Sequence, residues 1–302
     1  MNKMTQIRQP VATGLGTVAI ASWGALALLT VIAGGMPPFQ LLAMTTAWAF
    51  LIGSAFLLFS RQGMSSFRQP LLPWAVAVSA IFLDHALYFY ALATVPPAHA
   101  SLIAYFWPLL IVLLSAIAPG APGLSVRHLA GATMGLLGVG FLLAGDGTDL
   151  SSQGAVSGYL AAACCAFVWS GYSVANRQFA AVPSNMLIGV CGVVSLLASA
   201  VHLATETTIL PDPVQWGAIL LLGIGPVGLA FLAWDFATKH GNLSLLGALA
   251  YFTPLLSTLL LVFSGHAEPT RWLALSVVLI VVGAIVAASG GQRGMAGPVT
   301  SS

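Results

Sequence analysis

Charge is what this chain has least of. Only 5% of its 302 residues are Asp, Glu, Lys or Arg, where a water-soluble domain carries roughly 25%. So few charges cannot cover a soluble surface, and a single globular domain in water is excluded. Cysteine is scarce too, and all three (Cys164, Cys165 and Cys191) sit in apolar stretches. That excludes a disulfide framework, and no Cys/His spacing suits a metal. The sequence has no Walker loop, no H-E-x-x-H and no G-x-S-x-G. The expectation is a protein with no catalytic residues, no metal and no cofactor, and no nucleotide to drive primary active transport. The net charge of +2 gives no reason to expect a nucleic-acid partner.

What fills the chain is apolar sequence, at 59%. Ten stretches of membrane length are expected at 11–33, 39–59, 71–94, 98–118, 126–145, 154–179, 185–205, 214–238, 243–263 and 271–289. Each approaches the ~20 residues that cross about 30 Å of hydrocarbon. Helices are the expected form, because a backbone in lipid must satisfy its own hydrogen bonds. Lys3 and Arg8 precede the first stretch without a small-residue cleavage site, so it reads as a span rather than a signal peptide.

Charge placement tests that count. With the N-terminus in the cytoplasm, Lys3, Arg8, Arg61, Arg68, Arg127, Arg177, Lys239 and Arg293 fall on the cytoplasmic side, eight of the nine basic residues. Arg271 falls opposite, with Asp146, Asp149, Glu206, Asp212 and Glu268. This is the positive-inside pattern, and it places both termini in the cytoplasm.

The two halves echo each other at an offset of 146. Trp23 meets Trp169, Pro37 meets Pro183, and Tyr105-Phe106-Trp107-Pro108-Leu109-Leu110 meets Tyr251-Phe252-Thr253-Pro254-Leu255-Leu256. Two units are expected, 1–150 and 151–302, of five helices each. Because five is odd, the second enters the membrane inverted, which is how many secondary carriers are built. The expected fold class is therefore an all-α integral membrane protein, a 5+5 inverted repeat around a central cavity.

These repeats, each with an aromatic-Pro helix followed by a Gly-rich one, resemble the EamA repeats of the drug/metabolite transporter superfamily over residues 11–289. Asp84-His85-x-x-Tyr88 and Tyr105-x-Trp107-Pro108 are similar to the bacterial aromatic amino acid exporters of the inner membrane. The resemblance implies a central substrate cavity and export of amino acids and related metabolites across that membrane. A carrier of another metabolite or drug, such as a nucleoside, sugar conjugate or cation, is the alternative. The expected partners are a small-molecule substrate and the lipid bilayer, with no obligatory protein partner.

Several residues are open to two readings. Pro108 and Pro254 each follow a tyrosine by three positions and disturb the helix near mid-span. They are hinge candidates or packing kinks. Pro226, among Gly223, Gly225 and Gly228, is a third hinge candidate, with no proline at its repeat equivalent, Ala80. Asp84 and His85 are ionisable groups inside a span and belong beside a cavity or a partner. They are candidates for substrate contact or proton handling, or for an interhelical hydrogen bond. Asp235 and Lys239 have ion-pair spacing and are either a local pair or a charged contact at the inner mouth. Trp169, Tyr172, Ser173 and Asn176 share one helix face. The expected substrate site is Trp23, His85, Tyr88, Tyr105, Trp107, Trp169, Tyr172 and Tyr251, since tyrosine and tryptophan offer an apolar face and one polar handle. Trp74, Trp216 and Trp272 read as interfacial residues, and His202 as a hydrogen-bonded packing residue.

Overall fold

The computed structural model describes residues 3–59, 64–117, 125–145, 154–241, 246 and 249–291. Arg61, Asp146, Asp149 and Arg293, and residues 242–245 and 247–248 of the expected ninth span, lie outside the described residues. All regular structure among the described residues is helical. The α-helices are α1 (Lys3–Gly24), α2 (Leu26–Ile32), α3 (Pro38–Phe59), α4 (Leu71–Thr94), α5 (Pro97–Ala104), α6 (Trp107–Ile117) and α7 (Val126–Gly145). They continue with α8 (Ala155–Ala175), α9 (Met186–Thr205), α10 (Pro213–Leu222), α11 (Ala230–His240), α12 (Phe252–Phe263) and α13 (Arg271–Gly291).

Six helical runs are long and apolar enough to cross a membrane: Gln9–Ile32, Pro38–Phe59, Leu71–Thr94, Ala155–Phe179, Met186–Thr205 and Pro213–His240. Pro97–Ile111, Phe252–Phe263 and Arg271–Gly283 are shorter apolar helices. Their outer faces are apolar: Phe56 is 60%, Leu196 73%, Leu203 77% and Phe263 83% exposed. Surfaces of that kind are stable in hydrocarbon and not in water.

Prolines and acids set the helix ends. Pro97 and Pro213 stand in first turns, where a missing N–H costs nothing. Asp212 closes a capping box: its Oδ1 accepts from the amides of Val214 (2.8 Å) and Gln215 (2.9 Å), while the Asp212 amide donates to Gln215 Oε1 (2.9 Å). The N-terminus of α3 is capped from a distance. Glu206, just past α9, accepts from the amides of Phe39 (3.0 Å) and Gln40 (3.1 Å), and the helix dipole favours its charge there. His202 is hydrogen-bonded, as expected: its Nδ1 lies 2.8 Å from Glu206 Oε2 and its Nε2 2.9 Å from Thr208 Oγ1.

Four expected spans are interrupted or widened, the ninth by a turn at Tyr251 ahead of Pro254. The first breaks at Ala25, between α1 and α2. The fourth breaks at a turn over Tyr105–Phe106, just ahead of Pro108, where the proline ring disfavours the carbonyl of Ala104. The eighth widens into a π-helical turn over Gly223–Leu229 around Pro226. There the Ala230 amide reaches the Gly225 carbonyl, five residues back instead of four.

The most extensive helix contacts are α7 with α13, α3 with α9, α4 with α8, and α1 with α11. A shift of 146 carries α4 onto the chain of α11 and α1 onto that of α8, so the last two contacts exchange with each other. The first two map onto themselves. This pattern is what a two-fold relation between the halves generates. The α7–α13 contact relies on absent side chains: a Cβ at Gly283 would stand 2.6 Å from the Gly131 carbonyl oxygen, closer than packing permits.

Candidate functional site

Trp23, near the end of α1, is the hub of the interior. Its ring packs edge-on against Trp107 (5.9 Å between centroids), Trp169 (5.3 Å) and Trp234 (5.2 Å), and tilted against Phe231 (6.3 Å). Trp107 and Trp234 also meet edge-on at 5.3 Å. These are the favoured geometries for ring quadrupoles. Polar bonds fix the rings in place. Trp23 Nε1 donates to the Pro226 carbonyl (2.9 Å), a group at the π-helical turn. Tyr105 Oη donates to the Trp23 carbonyl (3.0 Å), Ser170 Oγ donates to the Trp107 carbonyl (3.0 Å), and Trp234 Nε1 reaches Ser173 Oγ at 3.4 Å. The breaks in the helices thus supply the carbonyl environment that orients the cage.

Beside this cage lies a cavity of about 50 Å³, lined by Trp23, Asp84, His85, Tyr88, Tyr105, Trp107, Cys165, Trp169 and Phe231, with Leu26, Ala104 and Ala166. A water needs about 10–15 Å³ of such space, so the cavity has room for a few waters.

The wall is polar on one side. Cys165 Sγ donates to Asp84 Oδ1 (3.1 Å). Asp84 Oδ2 stands 3.0 Å from His85 Nδ1, yet neither ring nitrogen of His85 makes a hydrogen bond. The two findings agree once angle is counted: the contact is close but misaligned, hence electrostatic. His85 is only 3% exposed, and its ring packs on Phe231 (5.1 Å) and Phe89 (5.6 Å). Apart from Asp84, the buried imidazole keeps its hydrogen-bonding capacity unused. Tyr88 Oη pairs with Ser101 Oγ at 3.0 Å.

Six of the eight expected site residues therefore meet around one cavity, together with Asp84. Tyr172 adjoins them, 5.5 Å from Trp169, with its hydroxyl buried and unpartnered. Tyr251 does not join them. It packs in a separate cluster with Leu109, Phe106, Leu113 and Val281, and its hydroxyl is buried without a partner. Tyr105 and Tyr251 occupy the same repeat position with similar backbone angles, φ −69° ψ 11° and φ −69° ψ −12°, but their side chains make different contacts. Asp235 and Lys239 pair with each other at 2.8 Å, away from the cavity wall.

The sequence reading missed Trp234, Phe231 and Cys165. The repeat contained the signal for two of them. Phe231 is His85 plus 146 and Trp234 is Tyr88 plus 146. The rings of His85 and Phe231 touch, as do those of Trp23 and Trp169. Two pairs of repeat mates are thus in mutual contact around the cavity. For Cys165 no pattern in the sequence separates a packing thiol from a donor to Asp84.

Comparison with known proteins adds the following. A chain named aromatic amino acid exporter YddG from Ancylobacter novellus is 46% identical over 277 residues, 91% of this chain and 96% of that one. Proteins of the same name from Salmonella typhimurium and Escherichia coli are 25% and 24% identical, over 91% and 82% of this chain and 96% and 87% of theirs. A crystal structure of a protein 45% identical in sequence superposes with a TM-score of 0.78, over 95% of this chain and all of the other. Residues 12–144 and 156–289 each match the model of the EamA-like transporter family, and this all-helical, multi-pass membrane protein belongs to that family.

Proposed function

We propose that the chain is a secondary transporter that exports amino acids, aromatic ones included, across a bacterial inner membrane by alternating access. The observation that carries this reading is the cage of four tryptophans and Phe231 around a buried polar wall, with repeat mates Trp23 and Trp169 in contact at its centre. Flat apolar faces suit an aromatic side chain. The Asp84 carboxylate and the unpartnered His85 suit the charged backbone of a free amino acid. The relatives named as aromatic amino acid exporters support the same substrate class.

The chain crosses the membrane ten times, as units 1–150 and 151–302 with opposite orientations and both termini in the cytoplasm. The exchange of helix contacts under the shift of 146 supports the two-fold relation, and the basic residues support the orientation. The different contacts of Tyr105 and Tyr251 support alternating access, in which each half takes in turn the packing of the other. Pro108, Pro226 and Pro254 are the hinge positions. Asp84 and His85 are the groups placed to handle a proton if one is coupled.

Counterflow in proteoliposomes tests the function. Vesicles loaded with phenylalanine or tryptophan are expected to accumulate the labelled amino acid, and vesicles loaded with a nucleoside or sugar are not. Accumulation driven only by nucleosides or organic cations overturns the substrate assignment. Orientation is tested by thiol labelling of intact cells. A cysteine at position 208 is expected to react from outside and one at position 65 is not, and the reverse pattern overturns the topology.

A further inference from the structure

Below the tryptophan cage, on the side where α11 ends, sits a second polar cluster that the cavity does not use. Lys239 and Asp235 are one turn apart on α11, and each side chain is only 2% exposed. Lys239 Nζ donates to Asp235 Oδ2 (2.8 Å) and to the Val182 carbonyl (3.0 Å). Asn176, at the end of α8, donates from Nδ2 to Asp235 Oδ1 (2.7 Å). The cluster ties α11, the end of α8 and the segment before α9 into one desolvated knot.

The knot is in line with the cage. Trp234, which floors it against Trp23 and Trp107, is the residue before Asp235. A void of about 10 Å³ lies between Trp107, Pro108, Ser173, Trp234 and Thr238, about the least space that admits a water. Lys239 is five residues from Trp234, about 7.5 Å along a helix. Cage, void and knot thus form one column between α8 and α11. One turn before Asn176, the buried hydroxyl of Tyr172 has no partner.

A desolvated ion pair resists separation, because each charge would be left without a partner. It is released at low cost only by something that brings both replacement charges at once. A free α-amino acid does so: its carboxylate takes Lys239 Nζ and its ammonium takes the Asp235 carboxylate. We propose that Asp235, Lys239 and Asn176 form a zwitterion-matched gate on the cytoplasmic side of the site, which admits amino acids and excludes aromatic molecules of a single charge. The aromatic cage reads the side chain, and the gate reads the backbone. This rests on the export reading above, which sets the cytoplasm as the side from which substrate arrives.

The test compares phenylalanine with two molecules that keep its ring and one of its charges, phenethylamine and 3-phenylpropionate, in proteoliposomes of the full chain. Wild type is expected to prefer phenylalanine over both by about tenfold or more, the discrimination expected when buried charges are left unpaired. The decisive variant is Asp235→Asn with Lys239→Gln together, because removing both charges leaves none buried alone and preserves folding. It is expected to move all three compounds with less than about a threefold difference, well below one tenfold step of discrimination. Lys239→Gln alone is expected to favour phenethylamine, and Asp235→Asn alone to favour 3-phenylpropionate. A double variant that keeps the wild-type preference overturns the gate and leaves the knot a structural staple. A wild type that moves no phenylalanine overturns the export reading and the gate with it.

Discussion

Replacing Trp23 with alanine is expected to reduce transport by roughly 100-fold while the protein still inserts in the membrane. Trp23 packs on four other rings, its indole N–H holds the Pro226 carbonyl, and its own carbonyl receives Tyr105. No other residue in the cage joins α1, the π-helical turn and the break at Tyr105. Truncating a buried tryptophan typically costs about 3–5 kcal/mol, and about 1.4 kcal/mol is worth a tenfold change in rate. Trp23→Phe separates the ring from the hydrogen bond. It keeps an aromatic face and strands the Pro226 carbonyl, so a loss of about tenfold is expected. Trp234→Ala is expected to fall near Trp23→Ala, since Trp234 completes the same cage. Initial counterflow rates, normalised to reconstituted protein, measure all three. If Trp23→Ala and Trp234→Ala both transport at the wild-type rate, the cage is packing and the binding site lies elsewhere.

Much of this was legible in the sequence because the bilayer constrains it tightly. Long uncharged runs report helices, and lone ionisable residues in those runs report an interior. That is why Asp84 and His85 could be placed beside a cavity. The repeat did more than mark two halves. Trp23 and Trp169 were paired by the offset alone, and their rings are in contact. Extending the same arithmetic to His85 and Tyr88 would have brought in Phe231 and Trp234. Trp234 stands beside Asp235 and Lys239, whose ion-pair spacing is the stronger signal in that stretch of sequence.

What the sequence could not carry is conformation. A repeat makes Tyr105 and Tyr251 equivalent, and any single state of a carrier with two access sides makes them unequal. The break at Ala25 has the same character. Its repeat position, Gly171, lies within the unbroken α8, although glycine is the weaker helix former of the two. Packing around Trp23, not local propensity, decides where the chain breaks. The wide turn at Pro226 is intermediate. A disturbance was expected from the proline and its glycines, but its π-helical form follows from keeping the helix continuous while freeing a carbonyl for Trp23.

The inequality of the two tyrosines leads to a paired result with opposite signs. In the state described, Tyr105 Oη donates to the Trp23 carbonyl (3.0 Å) while the Tyr251 hydroxyl is buried without a partner. Under the inverted arrangement proposed above, the opposite-facing state exchanges these roles, and Tyr251 donates to the carbonyl of Trp169. Tyr105→Phe then weakens only the state described, and Tyr251→Phe weakens only its counterpart. A buried hydrogen bond contributes about 0.5–1.5 kcal/mol net, which shifts a two-state population by about 2- to 10-fold. Spin labels at exposed positions 156 and 210, in a variant whose exposed Cys164 is alanine, are expected to show two distance populations. Tyr105→Phe is expected to deplete one population and Tyr251→Phe to enrich it. Transport slows in both, because a carrier biased to either side waits longer for the return step. Shifts of the same sign in both variants, or no shift in either, would separate the two tyrosines functionally and remove the exchange of roles, even if both substitutions slow transport.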